Sequence, residues 1–408
     1  MSSSNRSELV HWFAPCPRGL EPALVEELNA CDAQRIQPTA GGVAFAGAAD
    51  LAYRVNLRSR VASRVLRRVA EAPYQQEDDI FRLAGSVNWR AWFNTDNTIK
   101  VETVGIKSPL RSLDFITLRV KDAICDQFRE ATGARPSVNT EAPDVRIHVF
   151  LTERHATLYL DTSGENLFKR GWRLEKGLAP LRENLAAGLL HLASWNESQP
   201  LIDPFCGSGT IAIEAAHIAQ HIAPGIARPF GFEKLKNFDR GLWRQLKTEA
   251  EQQRLERCPV PILANDISGK ACGMTSQNAK RAGVEIQVSM LDARELRPLS
   301  DQPGLILGNP PYGERIGLRH GQEVQSADSS AIPDAAFYAE FASTLKKHFA
   351  GWRVALISND MNLPRQLRLQ PKRKIPVFNG ALECRLFIFD MVSGSNRQLN
   401  TANIFRLH

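Results

Sequence analysis

The chain has no Cys-x-x-Cys pair. Its seven cysteines, Cys16, Cys31, Cys125, Cys206, Cys258, Cys272 and Cys384, are scattered, and the closest two, Cys258 and Cys272, stand 14 positions apart. That spacing argues against a zinc knuckle or an iron–sulfur site. An odd, dispersed count suits reduced thiols in the cytoplasm. No stretch holds 18 consecutive apolar residues, so no transmembrane helix and no membrane partner are expected. The opening Met1-Ser2-Ser3-Ser4-Asn5-Arg6-Ser7-Glu8 lacks the apolar core of a signal peptide. No His, Asp or Glu cluster has metal-ligand spacing. His217 and His221 are four apart but have no third ligand nearby, so no metal is expected. No internal repeat recurs at a fixed period.

What is present is ordinary globular material: 408 residues, 43% apolar and 23% charged, enough for two or three domains. The 51 Lys and Arg exceed the 44 Asp and Glu, a net charge of +7 that fits a polyanionic partner and is equally common among enzymes without one.

Three segments differ in pattern. Residues 1–55 read as a small α/β unit: Val10, Trp12 and Phe13 as a strand, then Leu20, Leu24, Val25 and Leu28 at helical spacing. Val43 and Phe45 alternate as another strand, and Asp50 is placed to cap the following helix. Residues 56–175 read as a second α/β unit. Its helix from Leu113 carries Ile116, Val120, Ile124 and Phe128 on one face, and two alternating runs meet at the turn Glu153-Arg154-His155. In residues 176–408 apolar runs end repeatedly in acidic or Gly-rich turns, at Asp203, Asn265-Asp266, Gly308-Asn309 and Ser358-Asn359. This is the pattern of a mostly parallel sheet with crossover helices, closed by an antiparallel hairpin about Asn379-Gly380. Such sheets bind ligands at the carboxyl ends of their strands.

The first motif stands at such an end: Asp203-Pro204-Phe205-Cys206-Gly207-Ser208-Gly209-Thr210, followed by a helix. The glycines permit a tight turn, and the helix start offers amides to an anion. Asp203 would repel a phosphate there and suits a cationic ligand. S-adenosylmethionine (SAM) has a sulfonium, an ammonium and a carboxylate that match these features. Asp266 is placed to accept ribose hydroxyls and Asp292 the adenine amine. Residues 221–258 then form an insertion. Its Phe230, Phe232, Phe238 and Trp243 interleave with Lys234, Lys236, Arg240 and Arg244, a pattern that serves either nucleic acid or a packed helical excursion.

The second motif is Asn309-Pro310-Pro311-Tyr312, directly after Leu305-Ile306-Leu307. Two prolines stiffen the backbone and remove two N–H donors. The corner that remains is rich in acceptors, the Asn309 side-chain oxygen and the Pro310 carbonyl, and Tyr312 adds a π face. It suits a planar group bearing an NH2. Gripping both N–H bonds favours a pyramidal nitrogen whose lone pair is aimed at an electrophile. No cysteine adjoins Asn309, which argues against cytosine-C5 methylation.

Together, D-P-F-C-G-S-G-T and N-P-P-Y-G-E-R resemble class I SAM-dependent methyltransferases of the amino-methylating branch. The stretch Leu160 to Arg173 looks like the end of a THUMP domain, and Ala179 to Ala186 is similar to that family's linker helix. The match leans to RlmL-type 23S ribosomal RNA guanine-N2 methyltransferases. The resemblance implies ferredoxin-like and THUMP RNA-binding parts before a Rossmann-like catalytic domain. Asp203, Cys206, Gly207 and Gly209 would then hold the methionine end of SAM, and Asp266 and Asp292 its nucleoside. Asn309, Pro310 and Tyr312 would hold the guanine, with Asn309 also bordering SAM. Glu314 and Arg315 would either touch the base or a flanking phosphate or form a surface ion pair. Because some members continue into a second methyltransferase domain and this chain stops at His408, one modification is expected.

Ribosomal RNA, or a ribosome assembly intermediate, is the expected partner. Candidate phosphate grips are Lys107, Arg111, Lys169, Arg170 and Arg173, with Arg54, Arg58, Arg60, Arg64, Arg67 and Arg68 either gripping RNA or forming a solvated face. Other readings are an amino-methyltransferase acting on tRNA guanine, DNA adenine or protein glutamine, and a non-catalytic RNA-binding assembly protein.

Overall fold

A computed structural model of the chain describes residues 9–173, 181–311 and 335–392. They form two compact units: residues 9–173 with 182–188 and 221–255, and the remainder.

The first unit runs β1 (Val10–Pro15), α1 (Glu21–Ala30), β2 (Gln34–Thr39), β3 (Gly42–Gly47), α2 (Leu51–Arg58), β4 (Leu66–Pro73), α3 (Glu77–Ser86), β5 (Ile99–Gly105), α4 (Leu113–Thr132), β6 (Val145–Leu151) and β7 (His155–Asp161). Its strands make one seven-stranded sheet, ordered β2-β3-β1-β4-β7-β6-β5. The seam between the two expected α/β units is therefore a strand pair, with Trp12 and Phe13 of β1 opposite Arg67 and Leu66 of β4. Helix α4 buries Ile116, Val120, Ile124 and Phe128 as their spacing predicts, starts at the Ser112 cap and stops at Gly133 in the left-handed region. Asp50 does not cap α2; its carboxylate pairs with Arg54 one turn on.

The second unit takes up the chain from α5 (Glu183–Leu192), whose first residues count with the first unit. It continues through β8 (Leu201–Asp203) and α6 (Thr210–Ala219). The insertion then returns to the first unit with α7 (Arg240–Gln252). Next come β9 (Ile262–Asn265), α8 (Gly269–Ala282), β10 (Gln287–Ser289), β11 (Leu305–Gly308), α9 (Ala335–His348), β12 (Arg353–Ser358), α10 (Leu363–Leu367), β13 (Arg373–Asn379) and β14 (Leu382–Asp390). Sheet order is β10-β9-β8-β11-β12-β14-β13. The first five strands are parallel, and β14 and β13 close the edge as the expected antiparallel hairpin. The strands buried on both faces are continuously apolar, as in Leu305-Ile306-Leu307. Phe341 and Leu345 of α9, and Phe349 just past its end, join Ile306, Val354 and Phe389 in the core. From β8 the chain steps outward through β9 and β10, then returns to the other flank of β8 at β11. That reversal opens a crevice at the carboxyl ends of β8 and β11, where both motifs lie.

Among the described residues no helix is long and apolar enough to cross a membrane.

Candidate active site

Strand β8 stops at Asp203 because Pro204 has no N–H to continue the ladder. The Asp203 carboxyl is 1% exposed, and its Oδ1 accepts the Phe205 amide at 3.1 Å. Burial, reinforced by the nearby charge of Asp266, pushes the carboxyl well above the usual range, and no described Lys or Arg pairs with it. Gly207 and Gly209 have φ of +55° and +84°. A Cβ on Gly209 would lie 2.8 Å from Thr275 Cγ2, whereas one on Gly207 would meet nothing within 4 Å. The turn is thus packed against α8 at Gly209 and open at Gly207.

Side chains that the motif does not contain hold this loop. Thr275 Oγ1 donates to the Gly207 carbonyl at 3.0 Å, and Asn278 Nδ2 to the Ser208 carbonyl at 2.9 Å. Both are buried and lie one turn apart on α8. Cys206 is part of the same fastening. Its thiol, raised by burial, lies 3.4 Å from Thr275 Oγ1, its amide donates to the Asn265 carbonyl, and its carbonyl accepts from Gly209. Asn265, wholly buried at the end of β9, uses its amide fully. Nδ2 donates to the Pro204 and Leu291 carbonyls at 3.3 and 3.0 Å, and Oδ1 accepts from Ser289 Oγ and the Leu291 amide at 2.6 and 3.1 Å. It pins the ends of β8, β9 and β10 to one another. The sequence signal for it is a two-headed polar residue directly before the strand-end acid.

The predicted acids are brought to the same place. Asp266 Oδ2 accepts the Gly207 amide at 2.9 Å and Oδ1 the Ser268 amide at 3.0 Å, leaving one acceptor direction on each oxygen. Asp292 follows Leu291, which Asn265 holds. Its carboxylate grips Arg294 and is held below the usual range chiefly by that hydrogen bond. Sequence reasoning missed the apolar neighbours of these acids: Ile267, Met290 and Leu291 are 66%, 63% and 44% exposed at the ends of β9 and β10.

The second motif abuts the first. A Cβ on Gly308 would lie 3.0 Å from Pro204 Cδ and Cγ and 3.1 Å from Phe205 Cδ2, so any side chain there would press on the first turn. Beyond it, Asn309 Oδ1 is buried and has no hydrogen-bond partner among the described residues. An orphaned acceptor in a cleft is costly unless a ligand N–H meets it. The Pro311 carbonyl accepts the hydroxyl of Tyr338 at 2.8 Å. Tyr312, Glu314 and Arg315 lie outside the described residues.

The basic residues divide sharply. Lys107 and Arg111 are exposed, as is Lys169, which pairs with Glu165. Arg170 and Arg173 do not present charge to a phosphate, contrary to expectation. Arg170 is 3% exposed and donates to the Leu167 and Arg60 carbonyls at 2.7 and 2.6 Å, and Arg173 forms a buried pair with Glu183 at 2.9 Å. The arginines of 54–68 are likewise engaged: Arg54 with Asp50, Arg58 with Gln253, Arg60 with the Ile222 carbonyl, Arg64 with Asp161, Arg68 with Glu71, and Arg67 over the Trp12 and Trp92 rings. In the insertion, Phe232, Phe238 and Trp243 gather on Tyr53, and Phe230 stacks on Phe232; the aromatic–basic interleaving is packing.

The residues fit a cationic nucleoside. Asp203 is a buried carboxyl without a described Lys or Arg partner, Gly207 leaves open space, and Asn309, next to the Gly308 that packs on the first turn, offers an acceptor unmet among the described residues. Residues 11–66 match an RlmL ferredoxin-like domain, 74–161 a THUMP domain and 170–388 an RMKL-like methyltransferase domain. The ribosomal RNA large subunit methyltransferase K/L of Methylococcus capsulatus is 43% identical over 394 residues, covering 93% of this chain and 51% of that protein. The protein of the same name from Shewanella sp. (strain MR-7) is 34% identical, with 96% and 54% covered. The chain spans about half the length of the curated relatives it matches. Among solved structures, SMU.472 complexed with SAH superposes with a TM-score of 0.81 at 27% identity, covering 95% of this chain and 99% of that one. A predicted N6-adenine-specific DNA methylase from Listeria monocytogenes gives 0.82 at 28%, covering 94% and 97%. With more than half of its residues inside the matching methyltransferase domain, this chain belongs to the RMKL-like methyltransferase family.

Proposed function

We propose that the chain transfers a methyl group from SAM to the exocyclic N2 amine of a guanine in ribosomal RNA, 23S in the first instance. The observation that carries this reading is the contact of Gly308 with Pro204 and Phe205, which sets an unmet amine acceptor against a turn suited to a cationic nucleoside. When bound, SAM supplies an electrophilic methyl on its sulfonium. Asp203 receives the ammonium, and the turn at Gly207 and Gly209 lets the ligand approach the backbone, with Cys206 acting only through the loop it fastens. Asp266 accepts the ribose hydroxyls with its free acceptor directions. Ile267 and Leu291 offer apolar faces to the adenine, and Asp292, steadied by Arg294, stands at its amine edge.

Asn309 Oδ1 and the Pro310 carbonyl each accept one N–H of the guanine amine and turn its lone pair toward the methyl. Tyr312 supplies the stacking face. Guanine N2 lies in the shallow groove of an RNA helix, so the target leaves its stack or is single-stranded. Lys107 and Arg111, both exposed, are placed to follow the flanking phosphates, and exposed Lys169 would do so on leaving Glu165. The names of the relatives and the THUMP match support ribosomal RNA, with naked RNA or an assembly intermediate in the cytoplasm as the substrate. The Listeria neighbour favours a second reading, methylation of an adenine amine, because the ledge accepts any planar NH2.

Incubation with radiolabelled SAM and undermodified ribosomal RNA, tRNA, DNA or protein, followed by nucleoside analysis, separates these. Labelled N2-methylguanosine from ribosomal RNA is expected, and N6-methyladenine from DNA would replace the first reading by the second. Asn309→Ala is expected to slow transfer by about 100-fold or more while SAH and RNA binding persist. Transfer within a few-fold of the unsubstituted chain would remove the amine grip.

A further inference from the structure

We propose that Tyr338 is a positioning residue for the amine-accepting ledge. By donating its hydroxyl to the Pro311 carbonyl, it anchors the ledge and withdraws that carbonyl, so that Asn309 and Pro310 present the acceptors. The proposal rests on the reading of Asn309 and Pro310 given above.

The argument starts from the prolines. Pro310 and Pro311 have no N–H, so this part of the ledge can be fastened only through its carbonyls. Three acceptors belong to consecutive residues there, Asn309 Oδ1 and the Pro310 and Pro311 carbonyls, but an aromatic amine that must aim its lone pair has only two hydrogens to give. A third open acceptor would let the amine slide one step along the ledge, away from the methyl. Tyr338 fills it at 2.8 Å.

The mount is rigid. Tyr338 is 5% exposed, and Phe341, Ala342 and Leu345 on the following turns are buried in the sheet's core. The same helix is tied to the other side of the crevice. Glu340 pairs with Arg294 at 2.5 Å, Arg294 grips Asp292, and Thr344 Oγ1 donates to the Arg294 carbonyl. One helix therefore sets the spacing between the ledge and the nucleoside acids. Burial, with the charge of Asp360 added, pushes the Tyr338 hydroxyl up to about 12, so it remains a donor throughout the working pH range.

Tyr338→Phe keeps the ring in the core and removes only the hydroxyl. In the full chain with its RNA substrate, kcat is expected to fall about 10- to 100-fold, while KM for SAM, SAH affinity and the thermal midpoint barely move. Amide exchange at Gly308 and Asn309 is expected to quicken about ten-fold, with Gly207 and Gly209 unchanged. An unchanged kcat overturns the proposal. So does a loss shared equally by kcat, SAH affinity and midpoint, which is what simple loss of packing produces. If the unsubstituted chain transfers no methyl to RNA, the proposed function fails by itself. Exchange at Gly308 and Asn309 then still decides Tyr338, and unaltered exchange overturns it.

Discussion

At Asp203, burial acts on the carboxyl more strongly than any partner does. Its folded pKa lies above the unfolded one, so the stability this group contributes is complete below the unfolded pKa and is lost as the pH rises toward the folded pKa. Above the unfolded pKa, burying this carboxyl without a ligand therefore costs stability, and a bound cation offsets that cost. Asp203→Asn should therefore raise the melting temperature of the ligand-free chain at pH 7 by about 2 °C or more and weaken SAH by about ten-fold or more. Thermal shift and titration calorimetry measure the two, and a variant that melts earlier, or binds SAH as before, contradicts the account. The sequence marked Asp203 through its place between an apolar strand and glycines. It could not show that the carboxyl is wholly buried, because the walls that bury it come from other strands.

Between elements, Asn265 is the fastening that counts most. Its four hydrogen bonds tie the ends of β8, β9 and β10. Asn265→Ala leaves the Pro204 and Leu291 carbonyls and the Leu291 amide without these partners in a buried setting. That should cost about 3 kcal/mol of stability and, because Leu291 and Pro204 border the proposed SAM site, about ten-fold or more in SAH affinity. Urea unfolding and calorimetry with SAH test both, and a loss of stability with SAH affinity intact would leave Asn265 a purely structural residue. The strand-end acids and glycines could be read along the chain because each sits inside its own motif. Asn265 left only the hint of a polar residue before the strand-end acid, and Thr275 and Asn278 left none, since their partners lie tens of residues away and nothing local distinguishes a mid-helix Thr or Asn that fastens a loop from one that faces water.

Across the first unit, much of the charge that reads as a nucleic-acid surface is held in ion pairs and hydrogen bonds within the fold. Asp161, at the end of β7, is fully buried. Burial pushes its carboxyl up, but the hydrogen bond from His148 and the charge of Arg64 outweigh this and hold it below the usual range. A depressed carboxyl contributes stability above its unfolded pKa and loses it as the pH falls through the folded value, so the first unit should weaken below about pH 4. Asp161→Asn should cost about 3 kcal/mol at pH 7, because Arg64 loses its counter-charge, and should flatten that acid decline. Urea unfolding at pH 7 and pH 4 checks the sign, and an equal loss at both would refute it.

The strand–turn–helix units, the parallel sheet with its closing hairpin, and the two motifs at strand ends are all legible along the chain. Those features depend on periodicity, proline and glycine within a few residues of one another. Tertiary structure alone decided which charges face solvent: Arg170 and Arg173 turned inward, whereas Lys107 and Arg111 stayed outside. It also assigned residues 221–255 to the first unit, where their aromatic side chains close on Tyr53. Burial and ion pairing depend on what distant segments bring alongside a residue, and that is set by the fold as a whole.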